Sequence, residues 1–292
     1  MKDRKDILFP HTRQEVFFDL LKHHKWEIEK GNLWCLLFAA PSLLLAYLYW
    51  LFAGFLPQMV KDGTWVLPTL EDGTAISESL YLFQIRNVFS VLFLLTNVLF
   101  FLGLGGLYGL LQKLVFAEPF DELRTVYFDG LKKNAKQFIA LSIVFSVVAE
   151  FFNLVVSYYS NDLSSPISIV SLVIAAIVLL TFLIFLFLGL PLGNLYRISF
   201  GALFKDSFIF FTIKIVRNLG LFLLAYLPLF LLALPSLYFQ MIYSFALIMV
   251  YPPYFALLGI LEMNSEADNL INPTRFPELI RKGLDDPSSK RP

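Results

Sequence analysis

The sequence predicts an all-α, polytopic membrane protein with six transmembrane helices. They form three hairpins, each preceded by an amphipathic helix lying at the cytoplasmic interface. Three observations carry this. The 292 residues are 58% hydrophobic and only 16% charged, with a mean hydropathy of +0.69, whereas a soluble domain carries about 45–50% apolar and about 25% charged residues. Six apolar segments have bilayer length. The basic residues sort onto alternate connecting segments. Thirty-two phenylalanines are more than a soluble core of this size could hide.

A hydrocarbon core of ~30 Å takes ~20 apolar residues as a helix. The segments that qualify are residues 33–56, 88–116, 138–160, 167–195, 219–234 and 236–261. They leave a cytoplasmic amphipathic arm at 1–32 and a cytoplasmic tail at 262–292. The polar arm makes the first segment a retained signal anchor rather than a cleaved leader. The last two segments share one apolar run, split at Pro235 because the whole is too long for a single crossing. A single bent helix followed by a re-entrant piece at Pro252–Pro253 stays open as the alternative.

Basic residues test the spans independently. The arm holds seven Lys and Arg, the region 57–87 two, the region about Lys113–Lys136 five, the region 196–218 four and the tail five, while the turns at 161–166 and Pro235 hold none. Alternate regions therefore collect 21 on one side and two, Lys61 and Arg86, on the other. That division predicts six spans with both termini cytoplasmic.

Each hairpin is preceded by an amphipathic stretch. In the arm, Thr12 and Glu15 stand at capping-box spacing, and Val16, Phe17, Leu20 and Leu21 make one face. From Asp121, Leu123, Val126, Tyr127 and Leu131 face one way. The third stretch, 199–216, is more apolar. Such helices lie among headgroups, which assigns lipid headgroup contact to Lys132, Lys133, Lys136, Lys214 and Arg217. The even spans rhyme too. Gly105 and Gly109 precede Lys113, Gly189 and Gly193 precede Arg197 at the same spacing, and Ala256 and Gly259 are a looser third case. Small residues four apart allow close helix packing.

Soluble-enzyme motifs are absent: there is no P-loop, H-E-x-x-H, C-x-x-C or G-x-S-x-G. The single Cys35 excludes a disulfide framework. Balanced charge, 23 basic against 23 acidic residues, removes the case for nucleic acid. Adjacent His23 and His24 cannot share a helix face as i,i+4 metal ligands would. No catalytic residues, no cofactor and no metal are expected.

One polar pattern stands out. Ser142, Ser146, Glu150, Asn153 and Ser157 recur at steps of four, four, three and four along the third span, a stripe on one face. Glu150 lies twelve residues past Phe138, ~18 Å at ~1.5 Å per residue, where an ionised carboxylate is costly. No Lys or Arg is placed deep in a span, so a neutral Glu150 hydrogen-bonded to Asn153, Asn97 or Thr181 is the expectation. The stripe is either a proton- or solute-linked site or a hydrogen-bonded seam that specifies packing.

Three stretches resemble a known family. The first is Lys30-Gly-Asn-Leu-Trp-Cys-Leu-Leu-Phe-Ala-Ala-Pro41. The second runs from Gly103 through Tyr108 to Ala117-Glu-Pro-Phe120, then Phe128-Asp-Gly-Leu-Lys-Lys-Asn-Ala-Lys-Gln137. The third has Asn194-Leu-Tyr196 ahead of an amphipathic stretch and Arg217-Asn218 entering the next span. Together, over most of residues 12–261, they are similar to the YesL-like family of bacterial integral membrane proteins, whose shared domain is of unknown function. Gly103-Leu-Gly-Gly106 replaces the family's usual "G-P-A", and the outer loop at 57–87 is longer. The resemblance implies an accessory role beside ABC-type carbohydrate uptake, with transporter subunits as partners in addition to the bilayer. It supplies no catalytic residues. The competing expectation is a small-solute or proton-linked transporter using the stripe; a membrane-embedded enzyme has too few facing polar groups. The aromatics of the outer loop, Trp65 and Tyr81 among the acids Glu71, Asp72 and Glu78, read as interfacial anchors ahead of a sugar-contacting surface.

Overall fold

The computed structural model describes residues 10–69, 73–120, 122–159, 165–196, 198–233 and 237–284. Pro235, Arg197, Asp121, Glu71, Asp72, the turn residues 161–164 and both chain ends, 1–9 and 285–292, lie outside the described residues. The chain is an all-α polytopic membrane protein. Its elements are α1 Arg13–His23, α2 Lys25–Lys61, α3 Glu78–Val115, α4 Leu123–Tyr159, α5 Pro166–Leu195, α6 Phe200–Ile213, α7 Ile215–Phe230, α8 Leu237–Leu270 and α9 Asn272–Arg275, with short 3-10 turns at Leu231–Ala233 and Pro277–Leu279. Among the described residues the only extended pairing is one isolated bridge, Thr69 to Ala75. Helices α2, α3, α4, α5 and α8 are each long and apolar enough to cross a bilayer, and α6 with α7 passes the same test as a pair bent by 109°.

The helix ends follow local chemistry. At α1 the Thr12 hydroxyl accepts from the Glu15 N–H at 3.2 Å, as the capping spacing predicts, while the Glu15 carboxylate accepts from the His11 N–H at 2.8 Å, one residue before the cap. The His11 amide, ahead of the Thr12 hydroxyl, holds the Glu15 carboxyl below its ordinary value. Val16 and Leu20 are buried, beside Leu114 and Val115 at the end of α3, and α1 also packs on α8.

The second amphipathic stretch is not a separate helix. Residues 123–136 form the first turns of α4 and run straight into its apolar part, because nothing between Leu131 and Phe138 interrupts the backbone ladder. A break occurs instead at Lys214, φ −127° and ψ 53°, between α6 and α7. The last carbonyls of a helix have no intrahelical donor, and Asn218 supplies one: its Nδ2 donates to Phe210 O at 2.8 Å and Phe211 O at 3.2 Å. Helix α8 runs unbroken through Pro252–Pro253, so no re-entrant break falls there.

The chain divides into two compact units, passing between them within α2, α3, α4 and α5. Unit 1 holds residues 1–36, 102–138 and 183–292, and unit 2 holds 37–101 and 139–182. In unit 1, α3 meets the start of α4 at glycine. A Cβ built on Gly109 would sit 2.5 Å from Gly130 Cα, and one on Gly106 would strike the Tyr127 ring. Bare backbone there leaves α3 carbonyls open to side chains. Tyr127 Oη donates to Gly103 O at 2.8 Å, Asn134 Nδ2 donates to Gly105 O at 2.9 Å and to Asn194 Oδ1 at 2.7 Å, and Asn194 Nδ2 donates to Tyr108 O at 3.2 Å. Every one of these groups is buried.

Unit 2 consists of the remaining lengths of α2 to α5 and the loop between α2 and α3. Phe101, Phe145 and Phe182 stack in series at 5.7 and 6.3 Å between centroids. Phe52, Trp65 and Tyr81 close a three-ring cluster at 5.6 to 6.4 Å under the loop.

Candidate functional site

The polar stripe of α4 faces into unit 2, and each member has a different situation. Ser142 is fully buried, its hydroxyl without a partner. Ser146 is buried and accepts from Asn97 Nδ2 at 3.3 Å, while Asn97 Oδ1 accepts from Ser42 at 3.3 Å. A hydrogen-bonded relay therefore joins α2, α3 and α4. Asn153 Oδ1 accepts from Arg86 Nη1 at 3.2 Å, and Arg86 Nη2 donates to Ser157 Oγ.

Arg86 corrects the sequence-based picture. The spans drawn from hydropathy start the second crossing at Val88 and leave Arg86 in a loop, so the stripe lacks a cation. In the structure α3 begins at Glu78, with the Ser77 hydroxyl accepting from the Leu80 N–H at 3.3 Å. Arg86 thus stands more than two turns inside the helix, and its backbone carbonyl accepts from Ser90 Oγ at 3.0 Å. The signal available in the sequence was the cap: Ser77 directly before Glu78 is an N-terminus pattern that precedes the apolar run.

The expected pairing of Glu150 with Asn153, Asn97 or Thr181 does not occur. Asn153 Oδ1 is taken by Arg86, and Asn97 by Ser42 and Ser146. Half-buried Glu150 instead borders a cleft of about 340 Å³, shared with Tyr49 of α2, Arg86, Phe89, Ser90, Phe93 and Asn97 of α3, and Ser146, Ala149 and Asn153 of α4. Among the described residues Glu150 makes no hydrogen bond or ion pair. The cleft thus presents one cation, one carboxylate not joined to it, and carboxamides and hydroxyls between aromatic walls. A small polar molecule can meet donors and acceptors there without displacing a salt bridge, and the low dielectric of apolar walls strengthens each contact.

The other expected residues fall in unit 1. Gly105 and Gly109 contact Asn134 and Gly130 of α4, Gly193 lies against Gln137, and Gly189 lies beside Ser207 of α6 and Phe185 of its own helix. Lys132 and Lys136 are exposed as lipid-contacting lysines would be. Lys133, Lys214 and Arg217, assigned to headgroups by their spacing, are also held by protein groups. Lys133 Nζ donates to Asn194 O at 2.9 Å, Lys214 Nζ to Glu266 at 2.8 Å and Arg217 Nη2 to Glu262 at 2.6 Å. The reason is that α8 continues to Leu270 and brings two nearly inaccessible carboxylates alongside α7. Hydropathy alone consigned those glutamates to a tail. Cys35 is buried and unpaired. Among the described residues no group of three or more His, Cys, Asp or Glu could hold a metal ion.

No protein-family model, curated protein or solved structure matches this chain.

Proposed function

We propose that the chain is a multi-pass protein of the bacterial cell membrane, both termini cytoplasmic, which binds a small polar solute in the unit 2 cleft as part of transport across the bilayer. The observation that carries the reading is the cleft itself: Arg86 and Glu150 border about 340 Å³ of space without forming an ion pair. Charged groups within apolar helices are costly and mark solute or proton pathways. Arg86, braced on Asn153 and Ser157, offers its remaining donors to an oxygen of the solute. Glu150 accepts from a solute hydroxyl or ammonium, or carries a proton. The orientation is supported by charge, since the 21 basic residues expected on the cytoplasmic side all belong to unit 1 and the other two to unit 2.

A panel of sugars, polyols, amino acids and organic acids, read by thermal shift of the purified protein, tests the proposal. At least one member is expected to raise the melting temperature of the wild type. Glu150→Gln and Arg86→Gln are each expected to weaken that response by roughly 10- to 100-fold in solute concentration, the range for a lost hydrogen bond to a charged group. Glu150→Gln should keep wild-type stability, as Glu150 has no partner to lose among the described residues. A panel with no stabilising member, or variants that respond like the wild type, would overturn the reading.

The second reading is the accessory role beside ABC-type carbohydrate uptake, and the YesL-like stretches are what favour it. Here the protein binds transporter subunits and moves no solute alone. Co-purification of those subunits with the tagged protein, together with absent flux in liposomes holding the protein alone, would select this reading over the first.

A further inference from the structure

Unit 1 carries a second opening, between α1, α7 and α8, of about 580 Å³. That is far more than the ~30 Å³ a water molecule occupies in the liquid. Its walls are Phe17 and Phe18 of α1, Leu221 and Leu224 of α7, and Leu258 and Tyr254 of α8. Arg13, Arg217 and Glu262 stand at one end. Arg217 and Leu224 are two turns apart on α7, ~10 Å, and the Tyr254 hydroxyl donates to Leu224 O at 3.0 Å. Phe18 and Leu224 are exposed, so the groove opens onto the apolar outer surface of α7.

The polar end has unspent hydrogen-bonding capacity of both kinds. Arg217 uses only Nη2, on Glu262 at 2.6 Å and Ser265 at 3.4 Å, with Nη1 3.9 Å from Glu266. Arg13 is nine-tenths buried; its two Nη groups hold Lys282 O and Asp268, and its Nε has no partner. Glu262, 3% exposed, accepts Arg217 on Oε2 and has nothing on buried Oε1. Three cations, Arg13, Lys214 and Arg217, stand against three carboxylates, Glu262, Glu266 and Asp268, so the cluster is balanced. A ligand that fits must bring an acceptor for guanidinium, a donor for Glu262 and no large net charge.

We propose that this groove binds one ethanolamine phospholipid. Its phosphate accepts from Arg217 and Arg13, its ammonium donates to Glu262 Oε1, and one acyl chain lies along Leu224, Leu258 and Phe17. A choline headgroup has the same charges but no N–H to donate. An anionic glycerol headgroup can offer Oε1 only a neutral hydroxyl and adds a negative charge beside three carboxylates. The inference is independent of the unit 2 cleft.

Native mass spectrometry of the delipidated full chain, titrated with phosphatidylethanolamine, phosphatidylcholine and phosphatidylglycerol of identical acyl chains, tests it. One phosphatidylethanolamine is expected to bind at least about tenfold more tightly than either of the others, the effect of one charge-assisted hydrogen bond. Leu258→Trp, which fills the groove and leaves its charges alone, should remove that bound lipid. Leu221→Trp does the same from the α7 wall if Leu258→Trp fails to give monodisperse protein. Equal affinity for the three lipids, retention of the lipid by the filled grooves, or equal displacement by inorganic phosphate would overturn the proposal. The solute response of the cleft should be unchanged in the tryptophan variants.

Discussion

Gly109→Ala is expected to destabilise the protein by about 3 kcal/mol, the upper part of the range for forcing an extra carbon into a packed core. The new Cβ would stand 2.5 Å from Gly130 Cα and 3.5 Å from its N and C. Backbone cannot rotate aside as a side-chain tip can, so α3 and α4 must separate. That movement also lengthens the bonds from Asn134 to Gly105 O and from Asn194 to Tyr108 O, whose groups are buried and have no water to replace them. Thermal unfolding in detergent provides the measurement. Trp34 lies 5.2 Å from Tyr127 by ring centroid and reports from within unit 1. Gly201→Ala on α6, where an added Cβ meets nothing within 4 Å, is the control. It should be neutral or stabilising by up to about 1 kcal/mol, because alanine has the better helix propensity. Equal melting temperatures for Gly109→Ala and wild type would mean that the two helices are not held at the approach described.

The second large effect is expected at Arg217. Glu262 and Glu266 are 3% and 1% exposed, while the Arg217 side chain is 46% exposed. Removing one partner of a buried pair costs about 3–5 kcal/mol because the other charge is left without compensation. Arg217→Ala belongs at the low end, about 3 kcal/mol, since solvent reaches the guanidinium and Lys214 still serves Glu266. The test is a double-mutant cycle. Adding Glu262→Gln removes the orphaned charge and should restore more than half of the loss, whereas additive losses would show that the two groups do not interact. The pair does more than hold α7 to α8. Lys214 is the residue at the 109° bend and Arg217 follows one turn later, so both cations next to the bend are tied to α8. The bend persists because its carbonyls are satisfied by Asn218 and its flanks by carboxylates.

Much of the candidate site was legible in the sequence, and the missing parts share a cause. The α4 stripe is visible because a helix repeats every 3.6 residues, so five polar residues at steps of three and four must share a face whatever surrounds them. The Thr12–Glu15 cap and the glycine pairs are equally local. Arg86 escaped because hydropathy marks the apolar part of a helix, and α3 begins ten residues before the expected span, within polar sequence. Glu262 and Glu266 escaped in the same way at the other end of α8. Gly130 is the partner of Gly109 but has no periodic signature of its own. Its role exists only where another helix comes close.

Composition, the length of the apolar runs and the distribution of 21 against two basic residues determined that this is an all-α membrane protein, and they predict its orientation. Those properties are sums over residues or patterns along one helix, so no knowledge of neighbours is needed. Tertiary structure alone decided which charges meet. Among the described residues it left Glu150 without a partner beside a cleft, gave Arg86 to Asn153 and Ser157, and tied Lys214 and Arg217 to buried glutamates. A carboxylate's partner is set by distances of a few ångströms between helices far apart in the chain. Within an apolar medium those distances govern the energy, and no spacing within a single helix encodes them.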